Sequence, residues 1–265
     1  MNRLLSYPGS KWELSDIIIR HFPSHKAYLE PYFGSGAVFF NKEKDVLETI
    51  NDTNGRLINM YRVMRNDPEK LQYLIYHTPY SREEFNLSFN ISEKPLEDAR
   101  RMLVRLWFAV GGKVCGTPGF KRNVSFNGPY NTYEWTDLYN RIGYAAARLK
   151  DAQIENKDAI TLISEMNDAD TLLYCDPPYI KSEFVISHYD HEYSVQDHEE
   201  LLQALLNYKG QVILSGYESD LYADALKDWS VVTRSTKVGT VIPKKGTRTE
   251  VLWMNYEPTK QMALF

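Results

Sequence analysis

Thr171-Leu-Leu-Tyr-Cys-Asp-Pro-Pro-Tyr179 is the stretch on which the reading of this chain turns. The apolar run Thr171–Cys175 has the length and composition of a buried strand. An acid, two prolines and an aromatic ring follow, and this combination can neither extend the sheet nor open a helix at once. It makes a rigid turn at the carboxyl end of a strand, where open α/β sheets keep their ligands. The turn offers a carboxylate at Asp176, a carbonyl at Pro177 and a flat ring at Tyr179. Together they suit a planar amino-heterocycle: two acceptors for its NH2 group and a face for stacking.

The chain around this turn alternates. Ser10 to His21 reads as a helix opened by a Pro-Gly-Ser turn. Ala27 to Tyr32 reads as a strand, followed by a glycine turn and a short helix. Val46 to Asn51 is a second strand. Asn54 to Arg65 is amphipathic, with Leu57, Ile58, Tyr61 and Met64 on one face. This β-turn-α-β-α series belongs to a doubly wound sheet. Glu30-Pro-Tyr-Phe-Gly-Ser-Gly36 closes the first strand, and Gly34 and Gly36 permit a tight turn with close backbone approach to a ligand. A plain turn has the same pattern. The third glycine of a dinucleotide fingerprint is missing, as is the Gly-Lys-Ser/Thr of a phosphate loop, so a nucleoside without pyrophosphate fits better. Asp52 closes the second strand where adenosine-binding sheets accept ribose hydroxyls, or it caps the following helix. Tyr7-Pro-Gly-Ser-Lys11 sets a cation and a ring beside a turn, either to bracket a small zwitterion or as a surface turn.

From about Asp67 to Trp135 the alternation stops. Helical segments, notably Leu96 to Val110, lead into a Gly-rich, aromatic stretch that reads as loops and a hairpin. The α/β pattern resumes with a helix over Trp135 to Leu149 and the strand ending at Asp176. Ser194 to Tyr208 is a helix with a capping box at Ser194 and Asp197, and Gly210 is its expected C-cap. Gln211 to Ser215, Ser230 to Lys237 and Glu250 to Tyr256 read as strands, the last two as an antiparallel edge hairpin. The fold expected is therefore α/β: a Rossmann-like doubly wound mixed sheet from 1–66 and 135–258, with an inserted, mainly helical lobe at 67–134 and a tail at 259–265.

With 265 residues the chain can bury a full core, and its net charge of −4 argues against a generally sticky polyanion binder. Charge distribution says more. Arg100, Arg101, Arg105, Lys113, Lys121 and Arg122 fall in one stretch without a single acid, and Arg234, Lys237, Lys244, Lys245 and Arg248 in another. Either these are solvated faces or they form a groove for a polyanion. No apolar run spans a bilayer and no signal-peptide pattern opens the chain. Cys115 and Cys175 suit a reducing compartment and make no metal pattern. A cytoplasmic location, in a bacterial or phage-infected cell, is the expectation, with no metal and no membrane partner.

Taken together, the motifs resemble the Dam-like DNA adenine-N6 methyltransferase family, over nearly the whole chain. Tyr7-Pro-Gly-Ser-Lys11 is similar to the family's aromatic-x-Gly-Gly-Lys opening. Glu30-Pro-Tyr-Phe-Gly-Ser-Gly-Ala-Val-Phe39 is similar to its Glu-Pro-Phe-x-Gly-x-Gly-x-Val-Phe motif. Arg82-Glu-Glu-Phe-Asn86 is similar to Arg-x-x-Phe-Asn, and Phe126-Asn-Gly-Pro-Tyr130 to Phe-Asn-x-Pro-Phe/Tyr-Gly. The Asp176 turn takes the place of its Asp-Pro-Pro-Tyr. The sequence departs at Tyr32, where the family usually has Phe and where the extra hydroxyl needs a partner. It departs again at Asn131 in place of Gly. Trp107-Phe-Ala-Val-Gly-Gly-Lys-Val does not match the recognition hairpin of GATC-specific members.

The resemblance implies S-adenosyl-L-methionine as methyl donor and the N6 amino group of a flipped adenine in duplex DNA as acceptor. It implies cofactor contacts from Tyr7, Lys11, Glu30, Tyr32, Gly34, Gly36, Asp52, Asp158 and Asp176. It places Asp176, Pro177, Pro178 and Tyr179 in catalysis. DNA contacts are expected from Arg82, Asn86, Arg101, Arg105, Lys113, Lys121, Arg122 and Asn127. Cytosine N4, RNA or a protein amide are alternative acceptors for the same turn, and a silent DNA-binding module is a further alternative. Gln261-Met-Ala-Leu-Phe265 resembles the peptide by which replication proteins dock on the bacterial sliding clamp, an extended groove ligand with apolar anchors.

Overall fold

Among the described residues seven strands form one mixed sheet, in the spatial order Gln153–Glu155, Leu47–Asn51, Ala27–Glu30, Thr171–Cys175, Gln211–Tyr217, Arg248–Met254, Ser230–Thr236. The computed structural model describes residues 3–112, 116–121, 132–180, 193–236 and 248–258. In chain order the elements are α1 (Ser15–Arg20), β1 (Ala27–Glu30), α2 (Ala37–Asn41), β2 (Leu47–Asn51), α3 (Gly55–Asn66), α4 (Pro68–His77), α5 (Arg82–Leu87) and α6 (Pro95–Phe108). They continue with α7 (Thr132–Leu149), β3 (Gln153–Glu155), α8 (Ala159–Glu165), β4 (Thr171–Cys175), α9 (Val195–Leu206), β5 (Gln211–Tyr217), α10 (Asp220–Ala225), β6 (Ser230–Thr236) and β7 (Arg248–Met254). Strands β1 to β5 run parallel, while β7 pairs antiparallel with both β5 and β6. The doubly wound mixed sheet expected from the sequence is what the chain forms.

Side chains on successive strand residues alternate between two apolar layers. Tyr28, Leu172, Tyr174, Ile213, Leu252 and Met254 join α2, α3, α6 and α7 on one face. Leu29, Leu173, Cys175, Leu214, Val251 and Trp253 meet α8, α9 and α10 on the other. All five residues of β4 are buried, as a central parallel strand covered on both faces requires. Successive strands run outward from β1 in one direction and from β4 in the other. Their adjacent carboxyl ends therefore form the crevice at which a sheet of this type binds ligands.

Several boundaries differ from the sequence reading for physical reasons. The first helix begins at Ser15, because residues 7–14 are held as successive turns, Ser10 N–H donating to Tyr7 and Leu14 N–H to Lys11. β1 stops before Pro31, which has no N–H for the ladder; its carbonyl accepts instead from Asn51. β3, three residues long, escapes any periodicity argument. α4 and α6, in the segment read as an inserted lobe, pack on α7 and α3 and contribute Leu71, Ile75, Leu103 and Trp107 to the same apolar layer as the sheet. The capping box at Ser194 and Asp197 forms. Gly210 does not cap that helix, which ends at Asn207. Its backbone passes so close to β4 that an added Cβ would lie 2.3 Å from the Thr171 carbonyl and 2.5 Å from that of Asp168. Among the described residues no helix is long and apolar enough to cross a membrane.

Gly210→Ala is expected to destabilise the fold by roughly 2–3 kcal/mol, since backbone rather than a movable side chain must give way. Gly55→Ala, whose new methyl would first meet Asn156 at 3.4 Å, is the near-neutral control. Urea unfolding of both variants measures the difference.

Candidate active site

The carboxyl ends of β1 and β4 frame a cleft of about 830 Å3, open to solvent and lined by residues 7–11, 30–35, Asp52, Tyr174, Asp176, Pro178 and Tyr193 among others. Gly34 adopts φ +47, and a Cβ there would meet the Tyr7 ring at 3.1 Å, so the glycine lets the opening segment close over the turn. Gly36 caps α2 at φ +63, with Phe33 and Phe40 packed where a side chain would stand. Asp52 accepts Gly34 N–H at 2.9 Å on one oxygen and Asn54 N–H at 2.9 Å on the other. These bonds aim its carboxylate at the cleft, and Asn54 rather than Asp52 caps α3. Tyr61 donates to the Gly34 carbonyl at 2.8 Å and ties the turn to α3.

Asp176 stands at the opposite wall and is gripped from three directions. Lys11 reaches both of its oxygens, at 2.9 and 3.0 Å, and also donates to the Gly9 carbonyl. Ser215 on β5 donates to Asp176 Oδ1 at 2.9 Å. The Tyr179 phenol lies 3.1 Å from the same oxygen and 3.0 Å from Glu250 Oε2 on β7. The Lys11 ammonium also sits 4.7 Å above the Tyr179 ring, whose other neighbour is the edge of Tyr217 at 4.4 Å. Burial first, then the charges of Asp176 and Glu250, push the Tyr179 phenol well above its ordinary value, so it keeps its proton. Lys11, read from sequence as a partner for a ligand carboxylate, instead spends its ammonium on Asp176.

Glu30 lines the cleft floor and is almost wholly buried, accepting the Tyr28 hydroxyl at 2.7 Å. Desolvation pushes its carboxyl up to about 8, against the weaker opposing effect of that hydrogen bond, with Asp176 adding to the rise. The extra hydroxyl of Tyr32 has its partner: Tyr193 at 2.7 Å, whose ring packs edge-on at 5.8 Å.

The family model for D12 class N6 adenine-specific DNA methyltransferases matches residues 7–240, from the Tyr7 turn through the whole cleft. The chain belongs to this family. It transfers a methyl group to the N6 amino group of adenine in DNA. Relatives agree: the Lactococcus lactis subsp. cremoris Type II methyltransferase M1.LlaDCHI is 28% identical over 271 residues, covering 94% of each chain. The Serratia marcescens DNA adenine methylase is 25% identical over 245 residues, 83% of this chain and 85% of its own. The Escherichia coli K12 DNA adenine methylase is 27% identical over 193 residues, 66% of this chain and 64% of its own.

In this methyltransferase the residues read from sequence separate into groups. Tyr7, Lys11, Glu30, Tyr32, Gly34, Asp52, Asp176 and Pro178 converge on one cleft. Asp158 lies off the cleft lining as the exposed N-cap of α8, accepting Thr161 N–H. Of the residues expected on DNA, Arg82 and Asn86 are exposed on α5, with the Arg82 guanidinium 4.9 Å over Phe120. Arg101 pairs with Glu97. Arg105 and Lys121 are buried: Arg105 covers Phe89 and donates to Gly116, and Lys121 donates to Ser6 Oγ at 3.2 Å. Burial lowers the Lys121 ammonium to about 8. Lys113, Arg122 and Asn127 fall outside the described residues. Sequence reading missed Ser215, Glu250 and Tyr193. A lone acid inside Thr249-Glu-Val-Leu-Trp-Met254 was the available clue for Glu250. Among the described residues no group of three or more His, Cys, Asp or Glu side chains is placed to hold a metal.

Because folded Glu30 retains a proton that the unfolded chain releases above about 4.5, the free protein should lose stability as pH rises from there through about 8. Glu30→Gln should abolish that part of the pH dependence. Urea midpoints of both proteins at pH 5, 7 and 9 check this, and parallel curves would refute it.

Proposed function

We propose that S-adenosyl-L-methionine is the methyl donor and occupies the cleft between β1 and β4, with a flipped adenine presented to Asp176. The observation that carries this reading is the shared cavity: the Gly34 turn and the anchored Asp176 carboxylate line the same space. Its glycine turn, tyrosine walls and inward-facing Asp52, without a phosphate loop, fit an adenosine that lacks a pyrophosphate. When bound, the donor supplies an electrophilic methyl group and its own leaving group.

The adenine amino lone pair is delocalised into the ring, so the nitrogen is a weak nucleophile. Asp176 Oδ2, which among the described residues receives only the Lys11 ammonium, has capacity for one amino hydrogen. The Pro177 carbonyl takes the other. Two acceptors on one nitrogen favour a pyramidal geometry with the lone pair directed at the methyl. Lys11, Ser215 and Tyr179 fix the carboxylate before the base arrives, so alignment contributes on the order of several kcal/mol. Such acceptors also stabilise the positive charge that develops on nitrogen. A base inside the duplex cannot reach this wall and must be extruded.

DNA contacts are assigned to the exposed edge of α5, Arg82 and Asn86, with Arg101 beside it. Duplex DNA as substrate puts the enzyme at work in the cytoplasm of a bacterial or phage-infected cell. The tail Gln261–Phe265 lies outside the described residues. Its reading as a sliding-clamp peptide rests on sequence pattern alone, and equal clamp retention by full-length and five-residue-truncated protein would retire it.

Asp176→Ala should lower single-turnover methyl transfer to duplex DNA by roughly 10²-fold or more. Donor binding, measured by calorimetry, should persist. A variant that methylates at the native rate would remove Asp176 from the reaction.

A further inference from the structure

We infer that Glu250 is the second carboxylate of the methyl-transfer site, joined to Asp176 through the Tyr179 phenol, and that it takes up the proton N6 must lose. The inference rests on the reading that Asp176 grips the amino group. Its own ground is hydrogen-bond stoichiometry. The Tyr179 oxygen lies 3.1 Å from Asp176 Oδ1 and 3.0 Å from Glu250 Oε2, both hydrogen-bonding distances. A phenol has one proton and can donate to only one of them. The three oxygens therefore have room for one more proton than they hold when both carboxylates are ionised.

Methyl transfer generates that proton. The new N6–carbon bond forms, the bond from that carbon to the donor breaks, and its electron pair leaves with the donor. N6 is left cationic and gives one hydrogen to Asp176. That proton arrives on Oδ2, and the neutral carboxyl turns about its Cβ–Cγ bond to present it to the Tyr179 oxygen as Tyr179 passes its own to Glu250. The phenol ends neutral, Asp176 returns to its carboxylate, and Glu250 holds the proton.

The surroundings supply a way out. With donor and base filling the main cleft, its wall at Asp176 is cut off from water on that side. Glu250 faces a second, smaller cleft behind Lys11 and Ser215, bounded by Leu14, Arg234 and Leu252. Arg234 is exposed, so that cleft meets the surface. Glu250 stands in register with Arg234 on β6 and Tyr217 on β5. The charged and titratable groups around it among the described residues include Asp176, Tyr174, Tyr179, Tyr217, Lys11 and Arg234. Arg234 sets a cation opposite Glu250 across the ladder. With Glu250 ionised the Tyr179 proton points to it, and Asp176 Oδ1 keeps its electron density.

Single-turnover methylation of duplex DNA across pH, with the full-length protein, tests this. Glu250→Gln should lower the rate at neutral pH at least tenfold and erase the acid-side fall in rate. Donor and DNA dissociation constants should stay within twofold. Glu250→Asp should recover much of the rate with the acid limb displaced, which a purely structural role would not produce. Tyr179→Phe should resemble Glu250→Gln, and the double variant should be no slower than the slower single one. An unchanged acid limb in both Glu250 variants, or additive losses in the double variant, overturns the relay. Should Glu250→Gln not fold, the acid limb of Glu250→Asp decides alone. Asp176→Ala separates the two levels: if it is inactive while both Glu250 variants keep the native profile, only the relay falls. If Asp176→Ala is active, the underlying assignment falls with it.

Discussion

The pairing of Lys11 with Asp176 joins the opening segment of the chain to a turn 165 residues away, and the site depends on it. Both partners lie at the crevice and Lys11 is nearly buried, with its side chain 6% exposed. Desolvating such a pair costs several kcal/mol per ion, so its net contribution to stability is small. What it contributes is position. It holds residues 7–11 over the Gly34 turn and turns Asp176 toward the cleft before any ligand is present.

Charge balance around that pair explains the remaining polar residues. Glu30, Asp176 and Glu250 crowd one end of the sheet, with the buried Lys11 ammonium among them. Each carboxyl is accommodated differently. Glu30 is held in its protonated form by burial. Asp176 is neutralised by Lys11 and hydrogen-bonded by Ser215. Glu250 meets the Tyr179 phenol beside the exposed Arg234 strand position. The acids divide the labour: Glu30 shapes the floor without adding charge, while Asp176 faces the cleft as an acceptor. A second cluster at the far end of the sheet, Lys42 and Arg148 on Glu48, has no such asymmetry and serves to pin β2 to α7.

Much of this architecture was legible in the sequence because it depends on local rules. Thr171–Cys175 could only be a buried strand, Ser194 with Asp197 could only open a helix, and the Gly34–Gly36 turn declared the end of β1. The sites at Asp52 and Asp176 followed from their places at strand ends. Long-range pairing was not legible. Nothing adjacent to Lys11 announces Asp176 as its partner, so a ligand carboxylate was the reasonable expectation. Arg105 and Lys121 read as surface cations because an acid-free basic stretch cannot reveal that α6 packs inward with Arg105 against Phe89, or that the chain returns to pair Lys121 with Phe108 and set its side chain against Ser6. Gly210 read as a helix cap because its actual constraint, the carbonyls of Asp168 and Thr171, comes from another strand.

The same distinction explains why Ser215 and Glu250 escaped notice. Ser215 is a small polar residue amid the apolar run of β5, and Glu250 follows Arg248 and Thr249 at the polar start of β7, patterns that in isolation mark only solvent-facing positions. Antiparallel insertion of β7 between β5 and β6 changes its meaning, because it sets Glu250 beside Tyr217 and Ser215 beside Leu252. β7 thereby carries a carboxylate to the back of the Asp-Pro-Pro-Tyr turn. A sheet that stayed parallel after β5 would bring its next strand's carboxyl end there instead. Reversal presents the amino-terminal half of β7 at the catalytic end, and that half holds Glu250. The topology of the last two strands is therefore part of the chemistry, since it lets one phenol face two acids.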